Sequence, residues 1–355
     1  MKKFRTALVL LLCLSFLVST TAFAANDTDS SEVNATALIN EYWSDVCNGQ
    51  WEKWVNHYAP NVRDEYIELI SSPQNPAQSV GIFTVDKANV LGVKPVSISS
   101  IPAEYSVMIP ELLSGQDCLA YVVDVDLHVK VDNGYFKNGL NTFLFTVSTI
   151  DNVPYINAVT SCTWDTATRP SLLKKEQLGY GFQDYDSRPT TINVKYKNGE
   201  VKNIDFNKYV FLTTCNEIGN SNFNAEAIKA QAIAIQMCGR WAKKGHFFPV
   251  GGYDVYYGYV AIDLPNRASA ANQKTIRTAV NAVANNEVLS SGGKFFSMNY
   301  FAGSANGTGQ GSGQMRQNGA NYLANSRGYD WRQIIRYYYN HSAYNNNGVG
   351  EIKIY

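Results

Sequence analysis

Residues 192–245 leave the least conformational freedom of any stretch in this 355-residue chain. Two runs that alternate apolar and polar residues flank Asn198-Gly199, the strongest short-range signal for a β-hairpin. Residues 206–214 then gather Tyr209, Val210, Phe211 and Leu212 into a buried segment, which delivers Cys215, Asn216 and Glu217 at its end. A helix is predicted next. Asn224 suits its N-cap and Glu226 its first turn, and Ile228, Ala232, Ile235, Gly239 and Ala242 form one narrow stripe along it. Lys243, Lys244 and Gly245 supply its stop. Small residues on the stripe permit close packing, so Glu217 is expected in a turn between two packed elements. A lone carboxylate in such a corner is a candidate acid, and its bland reading is a capping or ion-paired glutamate.

The same residues resemble the stage II sporulation protein D and amidase-enhancer family of secreted peptidoglycan proteins. That family carries L-E-E-Y-V-x-G-V-V-A-A-E-M-P ahead of L-E-A-L-K-A-Q-A-V-A-A-R-T-Y. Glu217 falls on the family's glutamate, and residues 226–234 match the K-A-Q-A helix almost residue for residue. Further on, residues 253–258 stand where the family has Q-V-Y-x-G, without the Gln. Residues 288–289 and 294–301 are expected to form a hairpin around Ser291-Gly292-Gly293. A glycine-rich loop, 303–313, follows. It is not a phosphate loop, because no Gly-Lys-Ser/Thr closes it. Residues 309–320 follow the family's G-H-G-x-G-M-S-Q-x-G-A with two changes: Gln310 replaces His and Arg316 replaces Ser. Two short helices about Gly328 are expected to close the domain over 322–340.

Family members include lytic transglycosylases, which cut glycan strands freed of stem peptides, and wall binders that enhance an amidase. The resemblance therefore implies an α+β domain over 190–355 that meets peptidoglycan glycan strands, with a cell-wall amidase or another wall protein as partner. Glu217 would be acid and base with Tyr209 and Asn216 as its orienting neighbours, and Tyr209, Asn216, Gln310, Arg316 and Gln317 would contact substrate. The family's metal-holding His is Gln310 here, so no zinc and no cofactor are expected. One carboxylate suffices for this chemistry. It protonates the bridging oxygen and then takes the proton of the sugar's own hydroxymethyl group. An intramolecular nucleophile of this kind brings effective molarities on the order of 10⁵ M or more. A non-enzymatic peptidoglycan-binding module using the same residues is the alternative.

Lys2, Lys3 and Arg5, an apolar run over 7–18 and Ala22-Phe23-Ala24 read as a secretory signal peptide cleaved near Ala24. The mature chain is then expected outside the cytoplasmic membrane, secreted or wall-associated, with no transmembrane segment. Five cysteines remain: Cys47, Cys118, Cys162, Cys215 and Cys238. Their wide spacing fits no zinc motif. Buried free thiols are the simple reading, with Cys118–Cys162 or Cys215–Cys238 open as disulfides. A net charge of zero gives no electrostatic footprint for nucleic acid. The 23 tyrosines and 6 tryptophans lend weak support to a glycan ligand.

Residues 25–36 are expected to be a tether, 37–165 a first domain and 166–189 a linker. The apolar spacing of Leu38, Tyr42 and Val46, and then Trp51, Trp54, Val55 and Tyr58, predicts one helix broken near Gly49 or two short ones. More helix over 62–71 and four strands between 80 and 164 complete the pattern. Helices before antiparallel strands give an α+β domain, similar in order to the nuclear-transport-factor-2-like cone, whose curled sheet holds a pocket. Asp124, Asp126 and His128 share one strand face, either lining a ligand or, by default, meeting solvent.

Overall fold

The computed structural model describes residues 28–101, 118–162, 188–245, 247–257, 262, 267–305, 308–345 and 348–355. The signal peptide and nearly all of the expected linker lie outside these residues. The chain is an α+β protein. Helices α1 (Thr28–Cys47), α2 (Trp51–Asn56), α3 (Pro60–Ser71) and α4 (Gln74–Ala77) come first. Four antiparallel strands follow in sequential order: β1 (Val85–Val96), β2 (Cys118–Val129), β3 (Gly139–Ile150) and β4 (Val153–Ser161). The break between α1 and α2 falls at Gly49, whose φ is +65°. The expected tether is corrected, because α1 already runs from Thr28.

Strand alternation gives the sheet two buried faces. Tyr121, Val123, Val125, Phe143, Phe145 and Ile156 join Tyr42, Trp43, Trp54 and Tyr58 in one core under the helices. The rings pack edge to face, as Tyr42 does on Phe145 at 5.5 Å and 89°. Aromatic side chains thus fill the space where the cone analogy implies a pocket. The other face, with Ala120, Val122 and Leu144, belongs to a second core built mainly from residues after 190. Asp124 lies on this face, buried, and accepts a hydrogen bond from Thr142 Oγ1 at 2.5 Å. Asp126 and His128 are exposed, so the three do not line a common ligand pocket.

The second half opens with the predicted hairpin, β5 (Thr191–Lys195) and β6 (Val201–Asp205). Its turn is closed by Gly199 N to Tyr196 O and Tyr196 N to Glu200 O, both 2.9 Å. Gly199 alone takes a positive φ, +79°, so the loop is the three-residue type with a glycine bulge. Then come α5 (Phe206–Ile218), α6 (Ala225–Gly245), the two-residue β7 (Val255–Tyr256) and α7 (Ala270–Val283). Short strands β8 (Val288–Leu289), β9 (Asn299–Phe301) and β10 (Gln314–Arg316) lead to α8 (Gln317–Arg327), α9 (Trp331–Tyr339) and β11 (Lys353–Ile354).

Two expectations for this half are corrected. Helix α6 is buried almost all round, from Ala227 through Ala242, whereas one narrow stripe was expected. Its run of Ala and Gly lets α5, α7, α8 and α9 all approach its axis. The hairpin expected around Ser291 does turn there, with Ser290 N bonded to Lys294 O at 2.9 Å. Its arms part, however. β8 pairs with β11, and β9 pairs in parallel with β10.

Among the described residues, no disulfide joins the five cysteines. Cys118 pairs with Ser148 on β3 while Cys162 bonds Thr142 O on the same strand. Six strand residues separate those partners by about 20 Å, far beyond the roughly 7 Å that a disulfide spans.

Hydrogen bonds tie the halves together. Buried Asn75 donates to Leu69 O at 2.9 Å and Gly199 O at 2.8 Å, and accepts from Val201 N at 3.2 Å. Replacing Asn75 with Ala strands three backbone groups in the junction, each costing about 1 kcal/mol or more. Urea unfolding of Asn75→Ala is expected to show a stability loss of about 3 kcal/mol with an unchanged m value. Loss below about 0.5 kcal/mol counts against this clasp.

Buried phenols set the alkaline limit. Burial pushes Tyr256 and Tyr338 up to about 12, and Tyr58, Tyr209, Tyr253 and Tyr339 well above the ordinary 10. Folded-state values raised above the unfolded ones give stability that is whole below pH 10 and is lost as the unfolded chain ionises above it. The urea midpoint is therefore expected to vary little just below pH 10 on account of these groups and to fall steeply between pH 10 and 12. A midpoint that rises over that interval contradicts the burial of these rings.

Candidate functional site

Glu217 is the penultimate residue of α5, not a turn residue as expected. The helix starts on an Asp205 cap, whose Oδ1 accepts from Lys208 N at 2.8 Å, and stops at Gly219, whose N donates to Cys215 O at 2.8 Å. The extra turn arises because residues 206–218 contain no Gly or Pro to end the helix sooner. The carboxylate is half-buried and lies at the helix end whose macrodipole repels an anion.

Gln317, exactly where α8 begins and itself buried, donates from Nε2 to Glu217 Oε2 at 2.7 Å. Residues 100 positions apart are thus in direct contact. The contact begins a ladder. Asn321 and Asn325 follow Gln317 at four-residue steps and so share its helix face. Asn321 Oδ1 accepts from Asn224 N at 2.8 Å, and Asn325 Oδ1 accepts from Asn224 Nδ2 at 3.0 Å. Asn224 in turn caps α6, its Oδ1 accepting from Glu226 N at 2.9 Å. The far end of the loop is held by Trp331 N, which donates to Glu226 Oε2 at 3.0 Å. One face of α8 therefore fixes both Glu217 and the loop that follows it. The Q-x-x-x-N-x-x-x-N spacing carried this signal in the sequence, and sequence reasoning missed it.

The remaining candidates divide. Arg316 directly precedes Gln317, but its guanidinium turns toward the glycine-rich loop. Nη1 donates to Ser304 Oγ at 3.3 Å and to Thr308 Oγ1, and the group lies 5.8 Å from the Phe301 ring centre. The stem lies against Gly303, where any β-carbon would collide with it. Gln310 is exposed and lines a separate groove with residues of α9. Asn216 is buried about 100° round the helix from Glu217, and its Oδ1 accepts from Arg267 N at 3.3 Å. It braces the approach to α7, which corrects its assignment as a substrate contact. Tyr209 is corrected likewise. It has no exposed surface and packs beside Phe206 at 5.7 Å and against Gly239. Its phenol is raised chiefly by burial, then by nearby Cys238 and Glu217.

Polar atoms are stranded around these helices. Tyr209 Oη, Thr213 Oγ1 and both side-chain polar atoms of Gln231 are buried without a hydrogen-bond partner. Cys238 Sγ lies 3.7 Å from Ser297 Oγ, which donates to Asn299 Oδ1 at 2.6 Å. Among the described residues, no three His, Cys, Asp or Glu side chains converge as a metal site. No helix of the described residues is long and apolar enough to cross a membrane.

Neither a protein-family model nor a curated protein matches the chain.

Removing an unpartnered buried hydroxyl while keeping its ring relieves a desolvation cost. Tyr209→Phe is therefore expected to hold or raise the melting temperature. A loss of about 1.5 kcal/mol or more would mean that the phenol is bonded.

Proposed function

We propose that the chain acts on peptidoglycan as a secreted, lytic transglycosylase-like enzyme that cleaves glycan strands with Glu217 as its single acid and base. The observation that carries this reading is the Gln317–Glu217 hydrogen bond of 2.7 Å. It holds a half-buried carboxylate at the point where the glycine-rich loop runs through β10 into α8. A general acid needs a fixed orientation toward the oxygen it protonates, and Gln317 supplies one. Arg316 and the loop it braces would form the wall beside the sugar. Tyr209 and Asn216 support α5 from within and do not touch substrate.

A second reading is favoured by the amide ladder itself. Because Gln317, Asn321 and Asn325 form a continuous structural clasp, Glu217 serves the fold whether or not it serves catalysis. A non-catalytic wall-binding or amidase-enhancing module would keep the clasp and lack the cleavage.

Purified glycan strands freed of stem peptides distinguish the two. The wild-type protein is expected to release anhydro-sugar ends, counted by chromatography and mass. Glu217→Gln should lower that release by about 10²-fold or more while still sedimenting with glycan. Release that persists in Glu217→Gln sinks the acid–base role. Sedimentation of the wild type without any release leaves the binding module in its place.

A further inference from the structure

A groove of about 670 Å³ opens at the C-terminal end of α9. Gln310, Tyr329, Arg336, Tyr337, His341 and Glu351 line it, and apart from Gln310, which lies on the glycine-rich loop, the proposed cleavage uses none of them. Three separated segments build it. The glycine-rich loop is laid on α9 by Gly311 N, which donates to Tyr337 O at 2.9 Å. Helix α9 contributes Arg336 and Tyr337. The C-terminal tail contributes Glu351.

The tail is fixed from beneath. Asn345, fully buried, donates from Nδ2 to Gly350 O at 2.9 Å and accepts from Ser291 N at 2.7 Å. Asn340 Oδ1 accepts from Ile352 N at 3.1 Å, and His341 N donates to Gly350 O at 3.2 Å. These bonds hold His341 at φ +58°, a left-handed conformation that a non-glycine residue keeps only when its surroundings enforce it.

The consequence is a pair of opposite charges that share a groove without meeting. Among the described residues, neither the Arg336 guanidinium nor the Glu351 carboxylate makes an ion pair or side-chain hydrogen bond. Long charged side chains in one depression ordinarily close on each other when the backbone lets them. Here no ion pair joins them. A purely anionic ligand would meet repulsion from Glu351, a purely cationic one from Arg336, and a neutral sugar could hydrogen-bond to both but would compensate neither charge. A ligand carrying a carboxylate and an ammonium satisfies both. The planar Arg336 fork matches a carboxylate with two parallel donors, and the half-buried rings of Tyr329 and Tyr337 offer apolar surface with a polar rim.

We propose that this groove binds a zwitterionic free amino acid or short free peptide, its carboxylate on Arg336, its ammonium on Glu351 and its apolar part against Tyr329 and Tyr337. The assignment goes beyond the cleavage reading and does not require Glu217 to be catalytic. In a protein that meets the cell wall, such a ligand is a released amino acid or short peptide and not a glycan.

Calorimetric titration of the full chain with alanyl-alanine, in the absence of glycan, tests it. The free dipeptide is expected to bind with a dissociation constant of about 1 mM or below. Its N-acetylated form and its C-amidated form should each bind about tenfold more weakly or worse. Arg336→Gln and Glu351→Gln should each weaken the free dipeptide by a similar factor without lowering the melting temperature, since both side chains are exposed. Equal binding of either blocked form, undiminished binding by either variant, or no heat from the free dipeptide overturns the proposal.

Discussion

Asp254 is the point on which the two halves of this protein depend. Its side chain has no exposed surface, and a carboxylate cannot be taken out of water without partners to replace it. The partners come from both halves. Tyr135, beyond the end of β2, donates to Oδ1 at 2.5 Å. Asn193 N on β5 donates to Oδ2 at 2.8 Å, and Lys243 Nζ on α6 lies 3.6 Å from Oδ2. Nearby, buried Lys195 donates to Glu65 O at 2.9 Å and lies 3.6 Å from Glu65 Oε1, which also accepts from Tyr253 Oη at 2.7 Å. The β1–β4 sheet could have been an independent domain with one wet face. These polar bonds, and the apolar contact of Ala120, Val122 and Leu144 with the second core, make it an internal layer instead.

Glycine completes the junction where side chains cannot fit. Gly81 and Gly252 face one another with φ of +51° and +62°, and a β-carbon on either would fall on the backbone of the other. Ile82 N reaches Val250 O at 2.8 Å through that approach. With β5, β7 and the end of α6 all anchored on this junction, α5 and α6 start from fixed positions. The orientation of Glu217, two turns beyond Tyr209 on α5, follows from that anchoring as much as from its contact with Gln317.

Local pattern made much of the second half legible in the sequence. The Asn198-Gly199 turn, the Asn224 cap and the Lys-Lys-Gly stop of α6 each depend on residues within a few positions, and each was readable from them. Pairing across distance was not. Nothing in residues 288–301 announces that β8 will leave its hairpin neighbour for β11, since that choice rests on the tail held by Asn345. The burial of α6 on every side also escaped, because an Ala-rich helix shows little periodicity to distinguish one apolar face from several. Of the candidate site, Glu217 and Gln317 came together as a bonded pair. Tyr209 and Asn216 were chosen for nearness along the chain, but successive positions on a helix point about 100° apart, so chain neighbours of an outward carboxylate turn inward.

The two changes in the glycine-rich loop can now be weighed by what the replacement residues do. Arg316 is employed in the loop's own architecture. Its stem lies on Gly303, and its guanidinium donates to Ser304 and Thr308, so an arginine holds the loop. Gln310, one residue before the bond from Gly311 to Tyr337 O, sits on the groove of α9 and away from the Gln317–Glu217 contact. A residue so placed is poorly located to assist proton transfer at Glu217 and well located to meet a ligand held by Arg336. Cleavage, if Glu217 performs it, must proceed on the carboxylate and its amide partner, with the helix end and partial burial as their electrostatic setting.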